Sequence, residues 1–197
     1  VLAAVQHNGC YLKHASDRRK ADRDVVLDAV RAEEVQPFVF YARRSGWALE
    51  FAEEALKADP EIVLAALTND AAAFALAAPA LRANRRFVLA AVQANGLALE
   101  SAADALRADR DVGLAAVRQN GEALKYVAEN LRADREIVLA AVNSDGGMLE
   151  FAAPALQADR EVVLAALQQD QKYLKFADSK IRSRLGCLSF PQGPGRE

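Results

Sequence analysis

A five-residue apolar motif close to Val-Leu-Ala-Ala-Val recurs along this chain, mostly at intervals of 25 residues. Its copies begin at Val1, Val26, Val63, Val88, Gly113, Val138 and Val163. A fixed period of this length is typical of stacked repeat arrays, in which each short unit packs against its neighbours. The repeat constrains the fold more than any other feature, and it favours an extended stack over a globule with a single central core.

The first part of each unit predicts an amphipathic helix, here called helix A. Asp109 is a residue type that caps helix N-termini, and Asp111 adds a carboxylate in the first turn, where the helix dipole favours it. The apolar stretch that follows predicts helix A to about Gln119. The same cap position is occupied by Asp22, Asp59, Asn84, Asp109, Asp134 and Asp159. Leu114 and Leu139, at the centre of two such motifs, are predicted to lie in the core.

An Asn-Gly or similar pair then predicts the end of helix A. We expect its glycine to take the left-handed conformation at the C′ position, which costs glycine little. The position holds Gly9, Gly46, Gly96, Gly121 and Gly146, with Ala71 and Gln171 in two other units.

A second helix, B, follows the glycine and is predicted to be short. Pro79 and Pro154 occupy equivalent places after it, and proline inside a helix is strongly unfavourable. Each unit therefore reads as a long helix A, a two-turn helix B and a separate capped turn. This predicts an all-α solenoid of about eight units.

The period fails between Val26 and the next apolar run. If Phe38 is aligned with Val63, the spacing is 12 residues instead of 25, which predicts one truncated unit near residues 30–38. Phe40 and Tyr41 then replace the Ala-Ala pair, either to fill space or to form a kink that presents a site. The predicted domain spans residues 1–182 and opens inside a repeat, as in a fragment of a longer array, with a non-repeat tail at 183–197.

Composition excludes several classes. The net charge of −2 with 26% charged residues argues against a nucleic-acid-coating or membrane-adhering surface. Every apolar run is far shorter than the roughly 18 residues of a membrane helix, so no transmembrane segment is expected. The two cysteines, Cys10 and Cys187, are too few for a disulfide scaffold. They favour an intracellular, reducing compartment, in the cytoplasm or an organelle that the sequence does not specify.

No motif for catalysis or cofactor binding is found. His7, Cys10 and His14 have metal-like spacing, but His14 aligns with positions held mainly by Phe, Tyr and Leu, and zinc needs further ligands. The sequence contains no phosphate-binding glycine loop or nucleophile elbow. We therefore expect no catalytic, cofactor or metal residues and no small-molecule substrate.

Two places are candidate partner contacts. Trp47 lies at a repeat position of scattered chemistry, which suggests exposure, and Arg43 and Arg44 flank it. The alternative is a tryptophan folded over its own repeat. The tail adds three apolar candidates, namely Leu185, Leu188 and Phe190.

The repeat as a whole resembles a known family. Asp-Arg-Glu-Val-Val-Leu-Ala-Ala-Leu, Asn-Gly, Ala-Leu-Glu-Phe-Ala and Leu-Arg-Ala-Asp are similar to the tandem repeats of the domain of unknown function numbered 4116. The resemblance covers residues 1–182, apart from the irregular stretch, and one such domain corresponds to about two units. It implies a helical repeat architecture but no chemistry, because the family has no assigned activity.

These observations predict a non-enzymatic protein–protein interaction or scaffold module whose partners are other protein chains. A peripheral subunit of a larger assembly is one form of this role. The alternative is an RNA-binding repeat protein. Basic clusters at 18–20, 43–44, 85–86 and 180–184 are offset by nearby acids, which disfavours nucleic acid. Charges of alternating sign at Glu100, Lys125, Glu150 and Lys175 are expected to pair across neighbouring units.

Overall fold

The computed structural model describes residues 2–32 and 45–185, without the side chains of Leu2, Ser45 and Leu185. In chain order its elements are α1 (Leu2–His7), η1 (Gly9–His14), α2 (Asp17–Lys20), α3 (Arg23–Arg31), η2 (Ser45–Phe51), η3 (Leu56–Ala58), α4 (Pro60–Asn69), η4 (Ala71–Leu76), α5 (Pro79–Arg82), α6 (Arg85–Ala94), η5 (Gly96–Ser101), α7 (Asp104–Arg107), α8 (Arg110–Gln119), η6 (Gly121–Lys125), η7 (Glu129–Ala133), α9 (Arg135–Ser144), η8 (Gly146–Phe151), α10 (Pro154–Gln157), α11 (Arg160–Leu167), η9 (Gln171–Phe176) and α12 (Ser179–Leu185), where η denotes a 3₁₀-helix.

These elements form a helical solenoid. Successive triplets, beginning with α1, η1 and α2 and ending with α11, η9 and α12, make units 1 to 7. Helix A of each unit packs against helix A of the next. The second elements of units 1, 2, 4, 5 and 6 pack against both of these helices. The described residues contain helices and turns but no strand. The predicted all-α solenoid is confirmed.

The start of helix A follows from its capping residue. All six predicted caps accept hydrogen bonds from backbone N–H groups in the first turn, as when Asp109 accepts from Asp111 and Val112. A second set of caps, which the sequence reading missed, begins the next element. Asn8, Asp70, Asn95, Asn120, Asp145 and Asp170 each accept from the N–H two residues later.

The second element is a 3₁₀-helix of five to seven residues, tighter than the predicted two-turn helix B. The backbone then leaves the helical conformation at an alanine, with ψ of 141° at Ala78 and 149° at Ala153, before the third element begins. Pro79 and Pro154 begin the short third helices at N1, where the missing N–H is harmless. The predicted three-part unit is confirmed.

The glycines do not have the predicted role. No glycine in the described residues has a positive φ, so none ends helix A in the left-handed conformation. Helix A stops because the following Asn or Asp is extended, with φ near −150° at Asn95 and Asn120. A Cβ at Gly46, Gly96 or Gly121 would lie within 3.0 Å of an alanine carbonyl oxygen in helix A of the next unit. Glycine is needed because two units approach closely.

The predicted truncated unit near residues 30–38 falls mostly on residues outside the described structure, but the elements on either side set the register of unit 2. In regular units a residue two or three positions after the 3₁₀-helix donates a backbone hydrogen bond to the third element of the preceding unit. One example is the bond from Ala103 N–H to the Arg82 carbonyl at 2.9 Å, over 21 residues. The bond from Glu53 to Lys20 spans 33 residues. Helix α3 also packs directly against α4, and η2 packs against both. Elements α3, η2 and η3 therefore make one complete unit 2, and the described array has seven units. Between α3 and η2 the chain has twelve more residues than a regular unit, 33–44, here called the insertion.

The core lies between the row of A helices and the row of 3₁₀-helices. In α8 the buried face consists of Val112, Gly113, Ala116 and Val117. Leu114 is only half-buried, as is its equivalent Leu139, so these leucines pack against the edge of the core and are not among its fully buried side chains. Their place is taken by the 3₁₀-helix leucines, such as the fully buried Leu124.

Candidate functional site

A row of arginine–carboxylate bonds crosses the N-terminal ends of the A helices. Arg110, the first residue of α8, reaches the next helix with its Nε 2.7 Å from Asp134 Oδ2 and its Nη2 2.6 Å from Glu136 Oε2. The same bonds join Arg23 to Asp59 and Glu61, Arg85 to Asp109 and Asp111, and Arg135 to Asp159 and Glu161. Each aspartate is also the cap of its helix. We call this row the arginine ladder, and it couples the position of one unit to the next.

The ladder shifts the ionisation of its carboxylates. The hydrogen bond from Arg85 lowers the pKa of Asp109 below its ordinary value, although partial burial works in the opposite direction. Arg23 lowers the pKa of Asp59 in the same way. These carboxylates are ionised and paired at neutral pH, so this edge of the array presents satisfied charges.

The ladder is interrupted at one step, between α4 and α6. Pro60 stands where other units have arginine, and Asn84 is a neutral cap. The adjoining 3₁₀-helix begins with Ala71 in place of glycine. Phe74 and Phe87 meet there with ring centroids 5.9 Å apart. An aromatic contact thus replaces the ion pairs at this step.

Trp47 lies on the edge formed by the 3₁₀-helices. Its side chain is half-buried, so the predicted exposure is only partial. The indole Nε1–H donates to Asp70 Oδ2 at 3.0 Å, and Asp70 caps the 3₁₀-helix of the following unit. The ring therefore bridges two units and is held in one orientation, with part of its surface accessible.

The charges of alternating sign are arranged differently from the prediction. Lys125 bonds Glu122 in its own 3₁₀-helix at 2.8 Å and lies 5.6 Å from the Phe151 ring centroid in the next unit. Burial is the main cause that raises the pKa of Tyr126, and the nearby negative charge of Glu100 raises that pKa further. The Lys125–Phe151 contact thus links units 5 and 6 in place of the expected Glu–Lys pair.

A basic position in the third element was missed. It holds Lys20, Lys57, Arg82, Arg107, Arg132 and Arg182, with Gln157 in unit 6. Arg132 Nη2 donates to the Lys125 carbonyl at 2.8 Å, and Gln157 Nε2 donates to the equivalent carbonyl of Glu150 at 3.1 Å. These side chains cap the ends of 3₁₀-helices. The 25-residue recurrence of Leu-Arg-Ala was the signal that could have revealed this basic row.

The other candidate residues are partly outside the described structure. Arg43, Arg44, Leu188 and Phe190 lie outside it, and so does the Phe38 alignment with its neighbours Phe40 and Tyr41. Leu185 is the last residue of α12, and its side chain is not described. Trp47 is thus the one candidate contact whose side chain can be placed.

Nothing in the described ranges brings metal ligands together. His7 and His14 are both exposed, and among residues 2–32 and 45–185 no three His, Cys, Asp or Glu side chains group as a metal site would require. None of the helices in the same ranges has the length and apolar character needed to cross a membrane.

The repeat geometry agrees with a family comparison. The model of a family described as Domain of unknown function (DUF4116) matches residues 1–33, 84–132 and 134–182. The chain belongs to this family. Each of the two later matches covers two structural units, as the sequence indicated, and the first match ends where the insertion begins. No curated protein and no solved structure matches the chain. The protein is therefore a helical repeat module of a family without an assigned activity.

Proposed function

We propose that this chain is a non-catalytic protein–protein interaction or scaffold module. The supporting observation is that consecutive units are joined by backbone hydrogen bonds at every step and by the arginine ladder at four steps. Such links hold the surface of an extended array in one shape. A partner then binds without the cost of ordering that surface, which is the advantage of preorganisation.

Trp47 is the proposed contact on this surface. Tryptophan is enriched among residues that dominate binding energies. Because Asp70 already fixes its indole N–H, little side-chain freedom is lost when a partner covers the remaining exposed part of the ring. Arg43 and Arg44, the other contacts predicted beside Trp47, lie outside the described residues.

The test is cross-linking of the tagged chain in cells, followed by identification of the captured proteins. A partner should be captured by the wild-type chain and lost with Trp47→Ala. Leu97→Ala is a matched control, because Leu97 is half-buried at the same repeat position two units away. Capture should persist in that control. Recovery of the chain alone and monomeric from several lysates would count against the proposal.

RNA binding is the second candidate, and the basic row of the third elements favours it. Against it, two members of the row are already paired with acids, since Arg107 bonds Asp104 at 2.5 Å and Lys57 bonds Glu54 at 2.7 Å. Binding to phosphates weakens steeply with salt. A single-stranded RNA whose affinity falls steeply between low and physiological salt would support this candidate, whereas affinity that does not respond to salt would oppose it.

A further inference from the structure

Unit 7 is the last unit that the structure describes. Its side that faces away from unit 6 corresponds to a surface that, in earlier units, is covered by the following unit. In unit 6, Arg135 bonds α11 of the next unit. In unit 5, Lys125 lies over Phe151 of the next unit. The corresponding residues of unit 7 are Arg160 and Lys175. We call the surface formed by Arg160, Leu174, Lys175 and Ile181 the end face.

Arg160 is the next member of the arginine ladder by sequence, since it follows Asp159 as the first residue of α11. Four arginines at this position bind carboxylates of the following unit. Arg160 is exposed and has no acidic partner within residues 2–32 and 45–185. The chain carries Arg184 where the next cap would stand, so the repeat itself does not supply a carboxylate.

The end face also has incompletely buried apolar side chains. Leu149 and Leu156 of unit 6 are 0% and 9% exposed. Their counterparts in unit 7, Leu174 and Ile181, are only half-buried. Since the described residues contain no unit after unit 7, this lower burial is expected, and it leaves partly exposed apolar surface in the same unit as Arg160.

The surrounding charge is strongly positive. Residues 171–185 contain five basic residues and a single acid, Asp178, in a chain whose net charge is −2. Lys172 is paired with Asp170, but Lys175, Lys180, Arg182 and Arg184 have no acidic partner in the described part of the chain. This excess of unpaired cations attracts an acidic surface and opposes a basic one.

We propose that the end face docks a helix of another protein whose first turn carries Asp or Glu beside apolar side chains, an inference that rests on the proposed interaction function. The arginine ladder contains the same contact four times. In each case the arginine that begins one helix A binds the acidic cap of the next helix A and the acid two residues after that cap. The half-buried Leu174 and Ile181 would contact the apolar side chains of that helix.

The test is an NMR titration of the isotopically labelled chain with a synthetic amphipathic helix. The probe is about 18 residues long, stapled to remain helical, and begins with Asp-Pro-Glu. Its control carries Asn and Gln in place of the two acids. We expect shifts at Arg160, Leu174 and Ile181, and binding at least about fivefold weaker for the neutral control and for Arg160→Gln. Arg86→Gln, which removes an exposed arginine far from the end face, should leave binding unchanged.

Several results would overturn the inference. One is the absence of shifts at the end face, and another is equal binding of the acidic and neutral helices. A single-stranded RNA that displaces the helix at lower concentration would assign the face to nucleic acid. Binding that appears only after removal of residues 186–197 would assign it to the chain's own C-terminal segment, and Arg160-dependent dimerisation would assign it to a second copy. If the probe helix does not bind the end face while Trp47-dependent capture persists, the docking inference is refuted and the proposed interaction function stands.

Discussion

Replacing Gly96 by alanine tests whether close approach of two units explains the recurring glycine. A Cβ at this position would lie within 3.0 Å of the Ala116 carbonyl oxygen and 2.9 Å from Gln119 Oε1, both in the next unit. The ordinary contact distance is at least 3.4 Å. The backbone of α8 must therefore move away, and it is held in place by the buried contacts of its own unit.

The magnitude follows from two opposing effects. Forcing an extra methyl group into a packed interior typically costs about 1–3 kcal/mol. Alanine also lowers the conformational entropy of the unfolded chain relative to glycine, which stabilises the folded state by about 0.4–1 kcal/mol. We expect Gly96→Ala to lower the free energy of unfolding by about 1–2 kcal/mol, measured by urea denaturation followed by circular dichroism.

A matched control is Gly113→Ala, inside α8. Here the nearest atoms are the ends of the Leu131 and Val127 side chains, at 3.0 and 3.4 Å, and equivalent units carry valine. Removing a glycine from a helix interior contributes up to about 1 kcal/mol, so this variant should be more stable than wild type.

Gly96→Asn separates the two explanations of the glycine. Asparagine is the next best residue for a left-handed C′ position, but it is larger than alanine. The close-approach account predicts that Asn costs more than Ala. Equal stability of Gly96→Ala and wild type, or a better tolerance of Asn than of Ala, would refute the reasoning.

Three further predictions concern the core, the arginine ladder and the interrupted step. Leu124→Ala should cost about 2–5 kcal/mol in urea unfolding, and Leu114→Ala clearly less, because only Leu124 is fully buried; equal costs would contradict the assigned core. Carboxylates whose folded pKa is depressed stabilise the fold above their ordinary pKa of 3.8, and this stability is lost as the pH falls through the lower folded value. Arg85→Gln should therefore flatten the decline of the melting temperature below about pH 4, and an unchanged decline would exclude that role. Phe74→Leu should cost about 1–2 kcal/mol although every other unit carries leucine there, because the ring fills the step with Phe87; a neutral result in thermal melts would show that the ring is not needed.

The regular part of this fold could be predicted from the sequence because its signals are local. A capping aspartate such as Asp109 acts on N–H groups two and three residues away, so its role is visible in a short string. Pro79 and Pro154 mark the start of the third element for the same reason. These features repeat in each unit, which makes the three-part architecture readable without any knowledge of contacts.

The errors concern interactions between units. The motif around Leu114 is apolar at consecutive positions, so its pattern does not show which side faces a neighbour. An Asn-Gly pair such as Asn95-Gly96 fits a left-handed helix end as well as a close approach of another helix. The apolar run near Phe38 resembles a helix A and lies outside the described residues, whereas the bonds that join Arg23 and Lys20 to residues beyond 44 set the register of unit 2.

The candidate surfaces were the least predictable part. Trp47 stood out by residue type, but its bond to Asp70 depends on how units 2 and 3 stack. The end face could not be found from sequence, because Arg160 resembles its counterparts in every local respect. It differs only in that no further unit follows it among the described residues, which is visible in the stacked array and not in the local sequence.

Deletion of residues 33–44 tests the central claim most directly. The deletion would join Ala32 to Ser45 and Gly46, in the same register as Ala94, Asn95 and Gly96 of unit 4. If these twelve residues are an insertion in an intact seven-unit array, urea denaturation should show one cooperative transition, with a free energy of unfolding within about 1 kcal/mol of wild type, since loop length has only a small entropic cost. Loss of the cooperative transition, or a shallower denaturant dependence, would contradict this account and show that the stretch is part of the stacked core.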